Sequence, residues 1–171
     1  MNDLSYAPFH KRLAAHAIDA VVCLFLVIGF LFVVTRPMVA AIIIPDDVSP
    51  RDSRAIWAAM DVSKKLIVFM LFWVSVWLPS GLYFAGLESS TRRATLGKMA
   101  LKLVAVRMDG SKLSFLRATA RYYSKAVADL VPFGFVATLP LYGDRRQGLH
   151  DWVTGVVVVA KGRVEAAMDA T

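Results

Sequence analysis

Two long apolar runs dominate the pattern of this chain. The first, Leu13 to Val34, holds 22 residues with only two ionisable members, His16 and Asp19. At 1.5 Å per helical residue it reaches about 33 Å, enough to cross a hydrocarbon core. It predicts a membrane helix from Lys11 to Thr35, ended by Arg36-Pro37 because a residue before proline leaves the helical region. The second run, Leu66 to Leu87, is interrupted by Ser75, Pro79, Ser80 and Gly81 and carries Trp73, Trp77 and Tyr83. A proline is tolerated in such a helix where neighbours satisfy the freed backbone. Between the runs, Met38 to Ile44 is a short apolar piece and Pro45-Asp46-Asp47 a turn. Ser53 to Ala59 predicts a short helix with Ser53 at its N-cap.

Beyond the second run the period changes. Leu101 to Met108 alternates in part and meets the turn dipeptide Asp109-Gly110, which predicts a short strand. Leu113 to Val131 reads as a helix. Arg117, Arg121, Lys125 and Asp129 fall at steps of four and form one polar stripe, while Phe115, Leu116, Ala118, Tyr122, Tyr123 and Val127 cover other faces. Such a helix suits a membrane interface with its cations snorkelling. Pro132 breaks it, and the apolar Phe133 to Tyr142 is too short to span alone. Val153 to Ala160, with Val156-Val157-Val158-Val159, predicts a second strand. If 101–107 and 156–159 pair, they lie on one side of the membrane, and 113–142 crosses twice or not at all. The charges favour a dipping hairpin hinged at Pro132 over a single crossing by 125–142 that puts the C-terminus outside. The fold expected is an all-α membrane protein, a small bundle of about three membrane-embedded helical segments with a short cytoplasmic β pair.

Composition agrees with a membrane chain. The 171 residues suit one domain and are 57% hydrophobic, with a mean hydropathy of +0.56; soluble chains average about 45–50% apolar residues. The net charge of +7 is assigned to lipid headgroups rather than nucleic acid, because the cations flank the apolar runs. Residues 88–125 hold nine cations against Glu88 and Asp109, whereas the first loop, 36–65, holds five against four acids. The positive-inside rule therefore places the 88–125 loop and the N-terminus in the cytoplasm. Cys23 is the single cysteine, so no intramolecular disulfide and no cysteine cluster can form. The N-terminal run is longer than the usual signal-peptide core and carries an aspartate, and is expected to be retained.

Asp19 demands the most explanation. A carboxylate within a span costs about 2.5–3.5 kcal/mol on insertion scales. Arg12, His16, Asp19 and Cys23 share a helix face at spacings of four, three and four. A structural clamp is the leading expectation, with Asp19 accepting from a basic or hydroxyl group elsewhere, the candidate cations being Arg117, Arg121, Lys125, Arg145 and Arg146; a proton or cation relay is the alternative. In the tail, Arg145-Arg146-Gln147-Gly148-Leu149-His150-Asp151-Trp152, Asp151 is expected to cap or clamp, the arginines to meet headgroups or carboxylates, and Trp152 to sit in the aromatic belt. His150 and Asp151 adjoin in sequence but are expected to point apart, which argues against acid–base catalysis. Thr95-Leu96-Gly97-Lys98 lacks the upstream glycine and residue order of a phosphate loop. No zinc spacing or nucleophile elbow is present, and no metal, cofactor or reaction is expected.

These segments resemble the RDD family of small membrane proteins, named for an arginine at the start of the first helix, an aspartate within it, and a second aspartate. Arg12 to Asp19 matches the first two. Thr95-Leu96-Gly97-Lys98 followed by Leu101–Val106 is similar to the central motif, and Arg146 to Asp151 followed by Gly155–Val158 to the tail motif. The resemblance covers residues 6–162, leaving 1–5 and 163–171 as tails. Relatives usually carry Gly-Gln before the central threonine, where this chain has Arg93-Ala94. The resemblance implies a bacterial plasma-membrane location and little mechanism. Two functions follow as expectations: a structural or accessory membrane protein working through lipids, copies of itself or a membrane partner, and a small oligomeric ion or proton-coupled transporter with Asp19 on its pathway.

Overall fold

The computed structural model describes residues 7–43, 53–130 and 148–162. They belong to two compact units, one formed by Met1–Val22 with Gly81–Thr171 and the other by Cys23–Ser80. The first long helix, α1, covers Phe9–Phe30; a wider π turn follows at Leu31–Thr35, then α2 at Arg36–Ile43. α3 is Ser53–Ala59, as the sequence predicts, and α4 is Val62–Ser89, continuous through Pro79. Arg36-Pro37 does not end the first helix. Pro37 has no N–H for the carbonyl of Val33, four residues earlier. The π turn meets this by lengthening the step: the Arg36 N–H bonds the Leu31 carbonyl five residues back. The stretch Phe9–Ala41 is thereby 33 residues long and Val62–Ser89 is 28, both long and apolar enough to cross a membrane.

The Cys23–Ser80 unit places large side chains outward. Phe25, Phe32, Val33, Phe69 and Met70 are each more than half exposed. Its buried polar contact joins Thr35 Oγ1 and Ser75 Oγ at 2.6 Å. Ser75 gives its one proton to the Leu71 carbonyl at 2.6 Å, so Thr35 donates to Ser75. Thr35→Val removes that donor and leaves the serine oxygen short of a partner. A loss of about 0.6–1.5 kcal/mol is expected, measured as a lower Tm in detergent; an unchanged Tm means that the pair contributes nothing.

The other unit is organised by two strands, β1 at Leu103–Arg107 and β2 at Val156–Ala160. They pair antiparallel, with Leu103 opposite Ala160 and Arg107 opposite Val156, so both lie on one side of any membrane, as the sequence implies. A lone two-stranded ribbon is marginal in water. This one is covered on both faces. Val104, Val106, Val157 and Val159 pack with Ala94 and Met99. Leu103 and Val158 meet Ala7 and Ala15, while Ala105 and Val156 meet Ala85, Leu113 and Ala118. Burying each valine contributes about 1.5–3 kcal/mol. The outer edges are also occupied: Ala7 N–H bonds the Val158 carbonyl at 3.0 Å and Ala105 N–H the Arg93 carbonyl at 2.8 Å.

Among the described residues, three more helices, short or amphipathic, belong to this unit: α5 at Leu96–Ala100, α6 at Phe115–Leu130 and α7 at Leu149–Thr154. α7 takes up Val153 and Thr154, which the valine pattern assigned to the strand. Gly155, at φ 63°, closes α7 in the left-handed conformation and lets the chain turn into β2. The expected hinge at Pro132 and the apolar piece Phe133–Tyr142 lie outside the described residues.

Candidate functional site

Asp19 sits on α1 and is 1% exposed. Tyr83 Oη of α4 donates to its Oδ1 at 2.6 Å, Thr95 Oγ1 to its Oδ2 at 2.6 Å, and the Gly97 backbone N–H to Oδ1 at 2.8 Å. The two hydroxyl bonds have the length of O–H···carboxylate contacts. The Tyr83 oxygen also accepts from the Leu96 N–H at 3.0 Å. Leu96 and Gly97 are the first two residues of α5, and their N–H groups have no partner inside that helix. Thr95 stands at the N-cap but makes no side-chain cap; its hydroxyl is turned to Asp19. The carboxylate of α1 therefore caps α5 from another element. Of the two kinds of partner expected, the hydroxyl is the one found: among the described residues Asp19 is held by neutral donors and not by Arg117, Arg121 or Lys125.

Gly97 makes that approach possible. A Cβ there would stand 2.1 Å from the Ala15 carbonyl oxygen and 2.9 Å from the Asp19 Cγ. The glycine of Thr95-Leu96-Gly97-Lys98 is thus required by the contact of α5 with α1, and the motif needs no phosphate to explain it.

Asp151 is the second buried carboxylate, 2% exposed. It lies inside α7 and does not cap it. Arg12 Nη1 reaches its Oδ2 at 3.3 Å, and Arg121 Nη2 and Nε reach Oδ1 at 2.6 and 2.7 Å. Arg12 Nη2 also bonds the Val158 carbonyl at 3.0 Å, tying α1 to β2. Arg121 Nη1 lies 2.8 Å from both oxygens of Glu88, and Lys98 Nζ pairs with Glu88 Oε1. The contacts close into a ring: Arg12 of α1, Asp151 of α7, Arg121 of α6, Glu88 of α4, Lys98 of α5, then the adjoining Gly97 back to Asp19 of α1.

Burial opposes the charge of Asp151, but Arg121, His150 and Arg12 hold its carboxyl well below the usual carboxylate range. Burial likewise works against the Arg121 guanidinium, and Asp151 and Glu88 raise it above its usual value. Burial pushes the Lys98 ammonium down, against the pull of Glu88. His150 Nε2 lies 3.1 Å from Asp151 Oδ1, so the two neighbours in sequence do meet, contrary to expectation. Burial pushes this imidazole down, against Asp151.

The remaining expected residues divide. Arg117 and Lys125 are half-buried on α6, His16 is exposed on α1, and Trp152 is exposed on α7. Asp129 falls within α6, but its side chain lies outside the described residues, as do Arg145 and Arg146. Among the described residues, no group of histidine, cysteine, aspartate or glutamate is arranged to hold a metal. Glu88 and Tyr83 were not singled out from the sequence. The available signal was position: Glu88 directly follows the second apolar run, and Tyr83 lies five residues before it.

The family model of the RDD family matches residues 6–155. The chain belongs to the RDD family. No curated protein and no solved structure matches it. In this RDD protein the arginine and the two aspartates that the resemblance singled out all stand in one ring. Arg12 pairs with the distant Asp151 rather than with Asp19 on its own helix.

Proposed function

We propose that this RDD protein is an integral membrane protein of the bacterial plasma membrane, crossed by Phe9–Ala41 and Val62–Ser89, with its N-terminus and the 88–125 loop in the cytoplasm. Its role is structural or accessory, exerted through lipids, copies of itself or a membrane partner, and it catalyses no reaction. The single observation that carries this reading is the set of three neutral donors on Asp19. Thr95 and Gly97 anchor α5 to α1 through the carboxylate, and Tyr83 ties α4 to it. A relay needs a group that changes partners, whereas a clamp needs one that keeps them. The outward Phe25, Phe32 and Val33 suit acyl chains, and the cation imbalance supports the orientation.

Proton-coupled or ion transport with Asp19 on its pathway is the second reading, favoured by an ionisable group within the first apolar run. Asp19→Asn separates the two. The amide oxygen can accept from Tyr83 and Gly97 while its NH₂ faces the Thr95 hydroxyl, which can accept in turn. The variant is expected to fold with a reduced Tm. In proteoliposomes, wild type and variant are both expected to show proton and cation flux no greater than protein-free vesicles. Flux in the wild type that Asp19→Asn abolishes overturns the clamp.

A further inference from the structure

α6 turns one cation of its polar stripe inward and an apolar row outward. Arg121 is nearly buried between Asp151 and Glu88, whereas Arg117 and Lys125 are half-buried. Its exposed residues include Leu116, Ala120, Tyr123 and Val127, at spacings of four, three and four, which places them on one face. Leu116 is 78% exposed and Val127 60%. The snorkelling expected for Arg121 does not occur. α7, which packs on α6, adds exposed Trp152 and Val153.

Charge identifies what covers this face. In the described part of this unit, the buried acids Asp19, Glu88 and Asp151 are matched by the nearly buried cations Arg12, Lys98 and Arg121. The remaining nine cations (Lys11, Arg92, Arg93, Lys102, Arg107, Lys112, Arg117, Lys125 and Lys161) outnumber the two remaining acids, Asp109 and Asp129. The interior is formally neutral, and the excess positive charge is left to the periphery. An outward apolar stripe on a cationic body is the pattern that lies in an anionic leaflet, with apolar side chains at the acyl boundary and cations among the headgroups.

We infer that α6 lies in the plane of the anionic leaflet, its Leu116–Val127 stripe in contact with acyl chains. This rests on the membrane reading above and adds a third lipid-contacting element to the two long helices. The test uses the full chain with Cys23→Ser, carrying an environment-sensitive nitrobenzoxadiazole label at Leu116→Cys, Val127→Cys, Lys112→Cys or Phe25→Cys. The protein is reconstituted in vesicles of phosphatidylcholine and phosphatidylglycerol. Lipids brominated on the acyl chain are expected to quench labels at 116 and 127, and aqueous iodide to quench the label at 112. Iodide quenching at 116 and 127 overturns the inference by placing the face in water. Protection from both quenchers overturns it by placing protein there, from residues 131–147 or from a second copy. The label at 25 keeps the failures apart: bromolipid quenching at 25 but not at 116 and 127 sinks this inference alone, and no quenching at 25 sinks the membrane reading itself.

Discussion

Arg121→Ala is expected to cost about 3–5 kcal/mol and to leave little folded protein, the largest effect of any single charge removal in the ring. The guanidinium is the only group among the described residues to join both Asp151 and Glu88. Without it Asp151 keeps Arg12 and His150, and Glu88 keeps Lys98, but each buried carboxylate loses its multidentate contact. Arg121→Lys is expected to recover only part of the loss, since an ammonium cannot present a planar fork to two carboxylates. The measurement is Tm and yield of monodisperse protein in detergent. A Tm for Arg121→Ala within about 2 °C of the wild type shows that the carboxylates are stabilised by something else. The wild type carries a related pH signature. The carboxyl of Asp151 is held below its ordinary range, so its contribution is present above about pH 4 and is lost as pH falls below that. His150 is depressed too, so the unfolded chain takes its proton first, and stability begins to fall as pH drops through about 6.5. Stability should thus rise with pH across both windows, and a Tm that rises on acidification contradicts the assignment.

Gly97→Ala is the second large effect. Its Cβ would collide with the Ala15 carbonyl at 2.1 Å. The Cβ is fixed to its own backbone and the Ala15 carbonyl is backbone, so neither can swing aside. α5 must retreat from α1, and the 2.8 Å bond from Gly97 N–H to Asp19 breaks with it. Overpacking costs about 1–3 kcal/mol and a hydrogen bond to a charged group about 1.5–3. The combined loss should be visible as a Tm many degrees below the wild type. Gly86→Ala on α4 is the control: a Cβ there meets nothing within 4 Å, and a helical glycine replaced by alanine should gain about 0.5–1 kcal/mol. Equal behaviour of the two variants rules out the close approach of α5 to α1 as the reason for the glycine.

Period and length made much of the fold legible. Two long apolar runs gave two long helices, the Val156–Val159 run gave β2, and Asp109-Gly110 closed β1. Local rules failed where another contact outweighed them. Proline chemistry places a boundary at Arg36-Pro37, but a π turn absorbs the missing N–H and the helix goes on. The valine run read as strand from Val153, yet a left-handed glycine delays the strand to Val156. In the site, the polar residues of the three motifs were legible and their pairing was not. The need of Asp19 for a basic or hydroxyl partner is legible, but sequence spacing cannot show that the orphan N–H of Gly97, 78 positions away, arrives to meet it. Glu88 counted as one acid in a basic loop, and its burial became visible only once α4 and α6 were seen to share Arg121.

The ring links the earliest part of the chain to the latest. Asp19 leaves the ribosome 78 residues ahead of Gly97, and Arg12 leaves 139 ahead of Asp151. At roughly 5–20 residues per second, the aspartate waits about 4–16 s for its backbone partner and the arginine longer still. Asp19 gains its donors in order, Tyr83 first, then Thr95 and Gly97. Arg12 waits for Asp151, so synthesis of that later segment is the step that lets the ring lock.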